Sequence, residues 1–209
     1  MTAFPITGFK ADAVSALVAA RKGGTGVSKS KTNAQINELM ADIEKDAPNY
    51  GVTAGAVGKL LLAAVADGER PRCFGPAGEK VDLVAMLGQY YEDGRYGSTS
   101  FDQALAMLGL AAAHEKVPSS AIKLTKNRRN KHGWNFALTT STGDDVESTA
   151  LIIQALRAAG VKKSDSSIKN GFKWMRYQRN QQEGYNPDAA AGETNSNATA
   201  LAIQAYDAI

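Results

Sequence analysis

The chain has 209 residues, 44% of them hydrophobic and 22% charged, with a net charge of +3. That balance belongs to an ordinary globular protein and excludes collagen-like or disordered chains, while no apolar run approaches the roughly 20 residues that span a bilayer. One cysteine (Cys73) and two histidines (His114 and His132) exclude a disulfide framework, a zinc site with several cysteines and a histidine-rich metal site.

Apolar residues recur with helical period from the start. Phe9, Ala13, Ala16, Leu17 and Ala20 form one stripe, which predicts a helix over 9–21. Met1 to Lys10 shows no charged head followed by an apolar run, so no signal-peptide pattern is visible there. Arg21 to Lys31 has no periodicity and reads as a loop. Ile36, Leu39, Met40 and Ile43 then mark a helix over 33–47 that stops before Pro48. Residues 53–66 are small and apolar on nearly every side, the pattern of a helix buried all round, and Gly68 ends it. Two prolines and three glycines make 68–80 a loop, followed by a short helix over 81–92.

Residues 100–114 repeat the all-round apolar type. Ser119-Ser120 is expected to cap a basic amphipathic helix over 119–129, with Ile122 and Leu124 inward. Asp144 or Asp145 caps a fourth apolar helix that runs to Ala159, and Gly160 closes it. Residues 164–178 are amphipathic, with Ile168, Phe172, Trp174 and Met175 on one face, and 195–209 are apolar again. Two kinds of helix therefore alternate, and no strand pattern of any length competes. Aligning Leu17, Val65, Leu110, Leu156 and Tyr206 gives intervals of roughly 45–50 residues, the period of helical hairpins that must stack to bury their apolar faces.

The repeat is clearest near the end. Gly133-Trp134-Asn135 leads through a polar loop into Ser148-Thr149-Ala150-Leu151-Ile152-Ile153-Gln154-Ala155-Leu156, and Gly184-Tyr185-Asn186 leads into Ala198-Thr199-Ala200-Leu201-Ala202-Ile203-Gln204-Ala205-Tyr206. A weaker copy runs from Gly94 through Phe101-Asp102-Gln103-Ala104-Leu105-Ala106. With Trp174-Met175 and Gln178 ahead of it, the last copy resembles the prenyltransferase and squalene-oxidase-type repeat. Good matches cover about 80 residues, and residues 1–68 fit by period alone. The resemblance implies an all-α protein, an α/α toroid of about five inner and four outer helices over residues 1–209. Five and four fall short of a closed ring. The pattern's stop at Ile209 predicts that this single domain is a piece of a longer protein.

Proteins with this repeat include terpene cyclases, protein prenyltransferase β subunits, thioester domains, cobalamin carriers and many bacterial secreted or surface proteins. The residues that carry the known chemistries do not match here. Alkene protonation uses an Asp-x-Asp-Asp cluster, but Thr142 stands two residues ahead of Asp144-Asp145. Zinc-dependent prenylation uses Asp-x-Cys and a distant histidine, but Pro71-Arg72 precede Cys73. The Cys-Gly-Glu-Gln thioester run does not occur. No cofactor or metal is called for.

In a toroid the inner helices start together at one mouth, where their positive ends converge. Asp12, Asp102, Asp144, Asp145, Glu147, Glu193, Asn195 and Asn197 fall at those ends. They have a plain role as caps and a candidate role as the polar rim of a binding pocket. Tyr96, Trp134 and Tyr185 precede inner helices at matching places, either as wedges in the packing or as stacking platforms. The candidate ligand-binding residues at the mouth are therefore Tyr96, Asp102, Trp134, Asp144, Asp145, Tyr185 and Asn195, with no catalytic residue assigned. A calcium site at Asp144-Asp145 or within 186–197 is conceivable from oxygen density, though the spacing matches no known loop.

Lys116, Lys123, Lys126, Arg128, Arg129 and Lys131 form one basic stretch, and Lys162, Lys163, Lys169, Lys173, Arg176 and Arg179 a second. They read as solvated outer faces or as a footprint for an anionic surface polymer; no nucleic-acid-binding signature accompanies them. The expected function is a non-enzymatic binding or scaffold module of a bacterial secreted or cell-surface protein. The alternatives are a cyclase or prenyltransferase-type enzyme with a non-standard active site and, more remotely, a cobalamin-carrier-like module.

Overall fold

Four polar residues mark where the apolar stretches turn helical. Thr53, Thr99, Asp145 and Asn195 lie in extended backbone, and each side-chain oxygen accepts the N–H three residues on, at Ala56, Asp102, Ser148 and Ala198. These caps satisfy donors that a helix start leaves unpaired. The computed structural model describes residues 4–24, 28–46, 53–141, 143–187 and 193–209. Among them it contains α1 (Phe4–Gly23), α2 (Lys29–Asp46), α3 (Ala54–Asp67), α4 (Leu83–Gly88), α5 (Ser100–Ala112), α6 (Ser119–Asn127), α7 (Val146–Ala158), α8 (Ser166–Tyr177) and α9 (Ser196–Asp207). The protein is predominantly helical; a two-stranded hairpin, β1 (Tyr91–Glu92) and β2 (Arg95–Tyr96), lies between α4 and α5.

The odd-numbered helices form one side-by-side series: α1 packs on α3, α3 on α5, α5 on α7 and α7 on α9. They run parallel in a constant register. Lys59 pairs with Asp12, the Gly55 N–H donates to Asp102 Oδ1, and Gln154 Nε2 donates to the Leu201 carbonyl, each across 47 residues. That interval is the hairpin period, so each repeat lays its apolar helix beside the previous one with the same ends together. The core lies along these contacts, with Leu60, Leu61, Met107, Ile152 and Leu156 fully or almost fully buried. Two glycines set the closest approach. A Cβ at Gly58 would strike the Leu105 carbonyl, and one at Gly109 would lie 2.9 Å from the Gly58 carbonyl oxygen. Of the even-numbered helices, α2 packs on α1 and α3, α4 on α3, and α8 on α7. No extensive packing joins α1 to α9 among the described residues.

Several elements depart from the sequence expectation. Helix α1 begins at Phe4, since the first turn of a helix tolerates Pro5. Asp12 therefore lies within that helix and not at its start. Helix α2 begins at Lys29, inside the segment expected to be loop: Thr32 is buried and extends the stripe of Ile36, Met40 and Ile43 by one turn. Its expected stop at Pro48 lies outside the described residues. Helix α4 ends at Gly88 because Asp93 and Gly94 both take positive φ, 49° and 89°, and make the turn of the hairpin. Pro118, not Ser119 or Ser120, occupies the cap position of α6; Ala121 and Thr125 are its fully buried residues, and Ile122 and Leu124 pack against the core partly buried.

Candidate functional site

The loops that precede α5, α7 and α9 are built alike. Each delivers an aromatic residue whose backbone N–H donates to the side chain four residues past the cap. Tyr96 donates to Gln103 Oε1 at 2.7 Å, Trp134 to Thr149 Oγ1 at 2.9 Å and Tyr185 to Thr199 Oγ1 at 3.0 Å. In the last two copies the aromatic residue's carbonyl then accepts the cap residue's N–H, from Asp145 at 2.9 Å and from Asn195 at 2.8 Å. The loop is thus clamped to the first turn of its helix.

All three rings are buried. Trp134 Nε1 donates to the Thr125 carbonyl at 2.7 Å and so ties α6 to the loop. Tyr96 packs against Tyr91 with ring centroids 4.8 Å apart, and burial pushes its hydroxyl up to about 12. The Tyr185 hydroxyl donates to that of Tyr206 at 3.1 Å; burial first, and then that bond, raise its pKa. These rings are wedges between helices and offer no free stacking face.

The acids are similarly engaged. Asp102 Oδ1 accepts the Gly55 N–H at 3.1 Å and Oδ2 accepts the Thr99 hydroxyl at 2.8 Å, which fastens the start of α3 to the start of α5. Asp144 Oδ2 accepts the N–H groups of Gly133 at 2.9 Å and His132 at 3.2 Å. Asp145 Oδ1 accepts from Ser148 N at 2.7 Å and Asn195 Oδ1 from Ala198 N at 3.0 Å. Burial raises the Asp145 pKa, outweighing the Ser148 and Phe136 hydrogen bonds that lower it, and the neighbouring Asp144 charge adds to the rise. Asp144 Oδ1 is buried and accepts no hydrogen bond from the described residues. The structure brings Trp134, Asp144 and Asp145 together in one loop and Tyr185 and Asn195 in the next, while Tyr96 and Asp102 belong to the loop before. Backbone contacts link these sets: Ser100 donates its N–H to the Phe136 carbonyl, and Val146 donates to the Pro187 carbonyl.

Three functional residues escaped the sequence reading. Gln103 is wholly buried and also donates to the Gly94 carbonyl and to Thr125 Oγ1, each at 3.0 Å, so one side chain joins the hairpin, α5 and α6. Thr149 and Thr199 play the matching part in the later copies. The available signal was a polar residue four positions after each cap. Of the remaining candidates, His114 takes a φ of 57° where α5 ends, and Cys73 is a free, partly buried thiol. Among the described residues no group of three or more His, Cys, Asp or Glu comes together to hold a metal ion. Part of the 186–197 loop lies outside the described residues. No described helix is long and apolar enough to cross a membrane.

The second basic stretch lies against a different feature. A groove of about 980 Å³ runs along α8 and the end of α9, with Phe172, Tyr177, Tyr206 and Ile209 among its apolar lining and Lys163, Lys169, Lys173 and Arg176 around them. The first basic stretch is partly neutralised, since Lys126 pairs with Asp165 at 2.6 Å. No family model, curated protein or solved structure matches the chain.

Proposed function

We propose that this protein is a non-enzymatic binding and scaffold module, an arc of an α/α toroid of the prenyltransferase-repeat type. The observation that carries this reading is the use made of the seven rim candidates. Tyr96, Trp134 and Tyr185 are spent on packing, and Asp102, Asp144, Asp145 and Asn195 each accept backbone N–H groups of the array itself. A rim whose polar groups hold its own repeats together is a structural framework. The toroidal course is supported by the constant 47-residue register between parallel neighbours. Placement in a bacterial secreted or surface protein follows from the resemblance of the repeat.

One observation favours a second reading, an enzyme of the cyclase or prenyltransferase type with a non-standard site. Asp145 has its pKa raised by burial beside an unpaired Asp144 oxygen, as a general acid would. Incubation with farnesyl diphosphate, with and without magnesium, and with squalene separates the two. The scaffold reading expects no product by gas chromatography. A product whose formation Asp145→Asn abolishes would overturn it and establish the enzyme.

A further inference from the structure

Charge is not shared evenly among the matching loops. Residues 116–143 contain no acid and carry Lys116, Lys123, Lys126, Arg128, Arg129 and Lys131. The two acids that bound this stretch are engaged. Glu115 pairs with Arg72 at 2.8 Å. Asp144 is turned into its own loop, with Oδ2 on the His132 and Gly133 N–H groups and Oδ1 buried. Asp165 answers Lys126 and sets α8 beside α6, so this loop lies within the array. Lys116, Lys123, Arg128 and Lys131 are exposed and make no ion pair among the described residues.

The loop before α9 makes the contrast. The turn is the same in both: Asn130 donates its N–H to the Gly133 carbonyl as Asn180 does to that of Gly184. Ahead of α9, Arg179 pairs with Glu183 at 3.3 Å. Ahead of α7, His132 stands where Glu183 does, one residue before the glycine. Arg129 donates instead to the Lys131 and His132 carbonyls, at 3.1 and 3.4 Å. The geometry is kept and the acid is gone. Cations gathered on one turn repel one another, and an anion lying across them relieves that repulsion.

The rest of the surface narrows the anion. Between 116 and 133 no large apolar side chain is exposed, so nothing there can enter a bilayer or floor a groove for a helix. Trp134, the indole of this loop, is fully buried and cannot stack on a base. What remains is charge alone, spread from the middle of α6 into the loop beyond it, which suits a flexible chain with an anionic group on each unit.

We propose that α6 and the loop after it bind a linear acidic polysaccharide, with its sulfate or carboxylate groups on Lys123, Arg128 and Lys131. This rests on the scaffold reading and names the class of polymer that the scaffold holds.

The test follows fluorescein-labelled dextran sulfate by anisotropy as the whole protein is added, with neutral dextran of the same length as the blank. Labelled polygalacturonate in its place tells a carboxylate reader from a sulfate reader. The expected result is saturable binding that neutral dextran lacks and that weakens at least about tenfold between about 50 and 200 mM salt, as counterions are released. It should weaken tenfold or more in Lys123→Glu, Lys131→Glu. It should stay within twofold in Lys29→Glu, Lys31→Glu, which changes the net charge equally but on α2. Both proteins should keep the parent's far-UV circular dichroism; if the loop variant does not, Lys123→Gln, Lys131→Gln carries the test with a several-fold loss. Three outcomes overturn the proposal. The first is no binding of either acidic polymer. The second is an equal loss in the α2 variant, since affinity then follows net charge and not this loop. The third is retention by phosphatidylglycerol vesicles through Lys123 and Lys131 when the polymers do not bind, which gives the loop to a membrane. Product formation in the farnesyl diphosphate assay, by contrast, overturns the scaffold reading whatever the polymers do.

Discussion

Ile153 in α7 and Ile203 in α9 occupy matching places in two copies of one motif, yet the first is fully buried and the second is 62% exposed. Ala150 and Ala200 differ in the same sense. Helix α7 is covered by α5, α8 and α9, whereas α9 has α7 on one side and the open groove on the other. An apolar helix of this kind is stable only with neighbours around it, so the same residue type contributes to stability where neighbours cover it, as at Ile153, and little where they do not, as at Ile203. The largest expected effect tests this directly. Ile153→Ala should cost about 2–5 kcal/mol in urea denaturation, the range for emptying a packed site, and Ile203→Ala no more than about 0.5 kcal/mol. Equal costs would mean that the edge is covered in solution.

The contact between α3 and α5 sharpens the contrast from the opposite direction. Gly58→Ala places a methyl group against the Leu105 carbonyl, backbone that cannot rotate away, so the two helices must separate. A loss of about 1–3 kcal/mol is expected, as for other overpacked sites. Gly88 at the end of α4 has open space around its Cβ position. Gly88→Ala should be neutral or raise stability by up to about 1 kcal/mol, through lower backbone entropy in the unfolded chain. If Gly58→Ala were as mild, the close approach would not be what holds α3 to α5.

Much of the array was legible because its signals are local. Apolar runs marked α5, α7 and α9, with Asp145 and Asn195 readable as the caps of the last two, and the spacing of Ile168, Phe172 and Met175 marked α8. At α5 the cap is Thr99, and Asp102, the acid read at that helix start, lies in the first turn. Signals that depend on distant partners were not legible. Lys29 to Lys31 read as loop because they end a Gly/Ser/Lys/Thr stretch without apolar periodicity; the burial of the polar Thr32 that follows, which extends the stripe of α2, depends on neighbouring helices. The helix expected over 81–92 stops short because Tyr91 and Glu92 pair with Tyr96 and Arg95 across the Asp93-Gly94 turn, a pairing that helical composition does not show. At the rim, residue types and places were readable, but the choice between wedge and platform for Trp134 or Tyr185 depends on whether another helix covers the ring. The basic stretch through Lys173 and Arg176 was also visible, although nothing in one dimension shows that it frames a groove.

Two acids at helix starts carry smaller effects of opposite sign with pH. Asp165 caps α8 and is held down to about 2, chiefly by Lys126 and then by the Ser167 hydroxyl. Its contribution is present above the unfolded carboxylate value, about 4, and is lost as pH falls toward 2. Asp165→Ala should therefore cost about 1 kcal/mol at pH 7, typical of a lost cap, and progressively less in acid.

Asp145 caps α7, but burial raises its pKa, so folding favours its protonated form. The stability from that preference is complete below about pH 4, where the unfolded chain also holds the proton, and is lost as pH rises through the folded value. At pH 7 the fold thus keeps a carboxylate whose charge it disfavours. Asn retains the oxygen that accepts the Ser148 N–H and carries no charge to desolvate. Asp145→Asn should consequently match or slightly exceed the parent protein at pH 7, within about 0.5 kcal/mol, a range ordinary for a mild substitution. Any advantage should fade on acidification, which urea midpoints at pH 7, 5 and 3.5 would show. A clear loss at pH 7 would mean instead that the charge itself, through the positive end of α7, holds this start in place. Asp145 would then be a structural anion, and the desolvated-acid argument for an enzyme would lose its one residue.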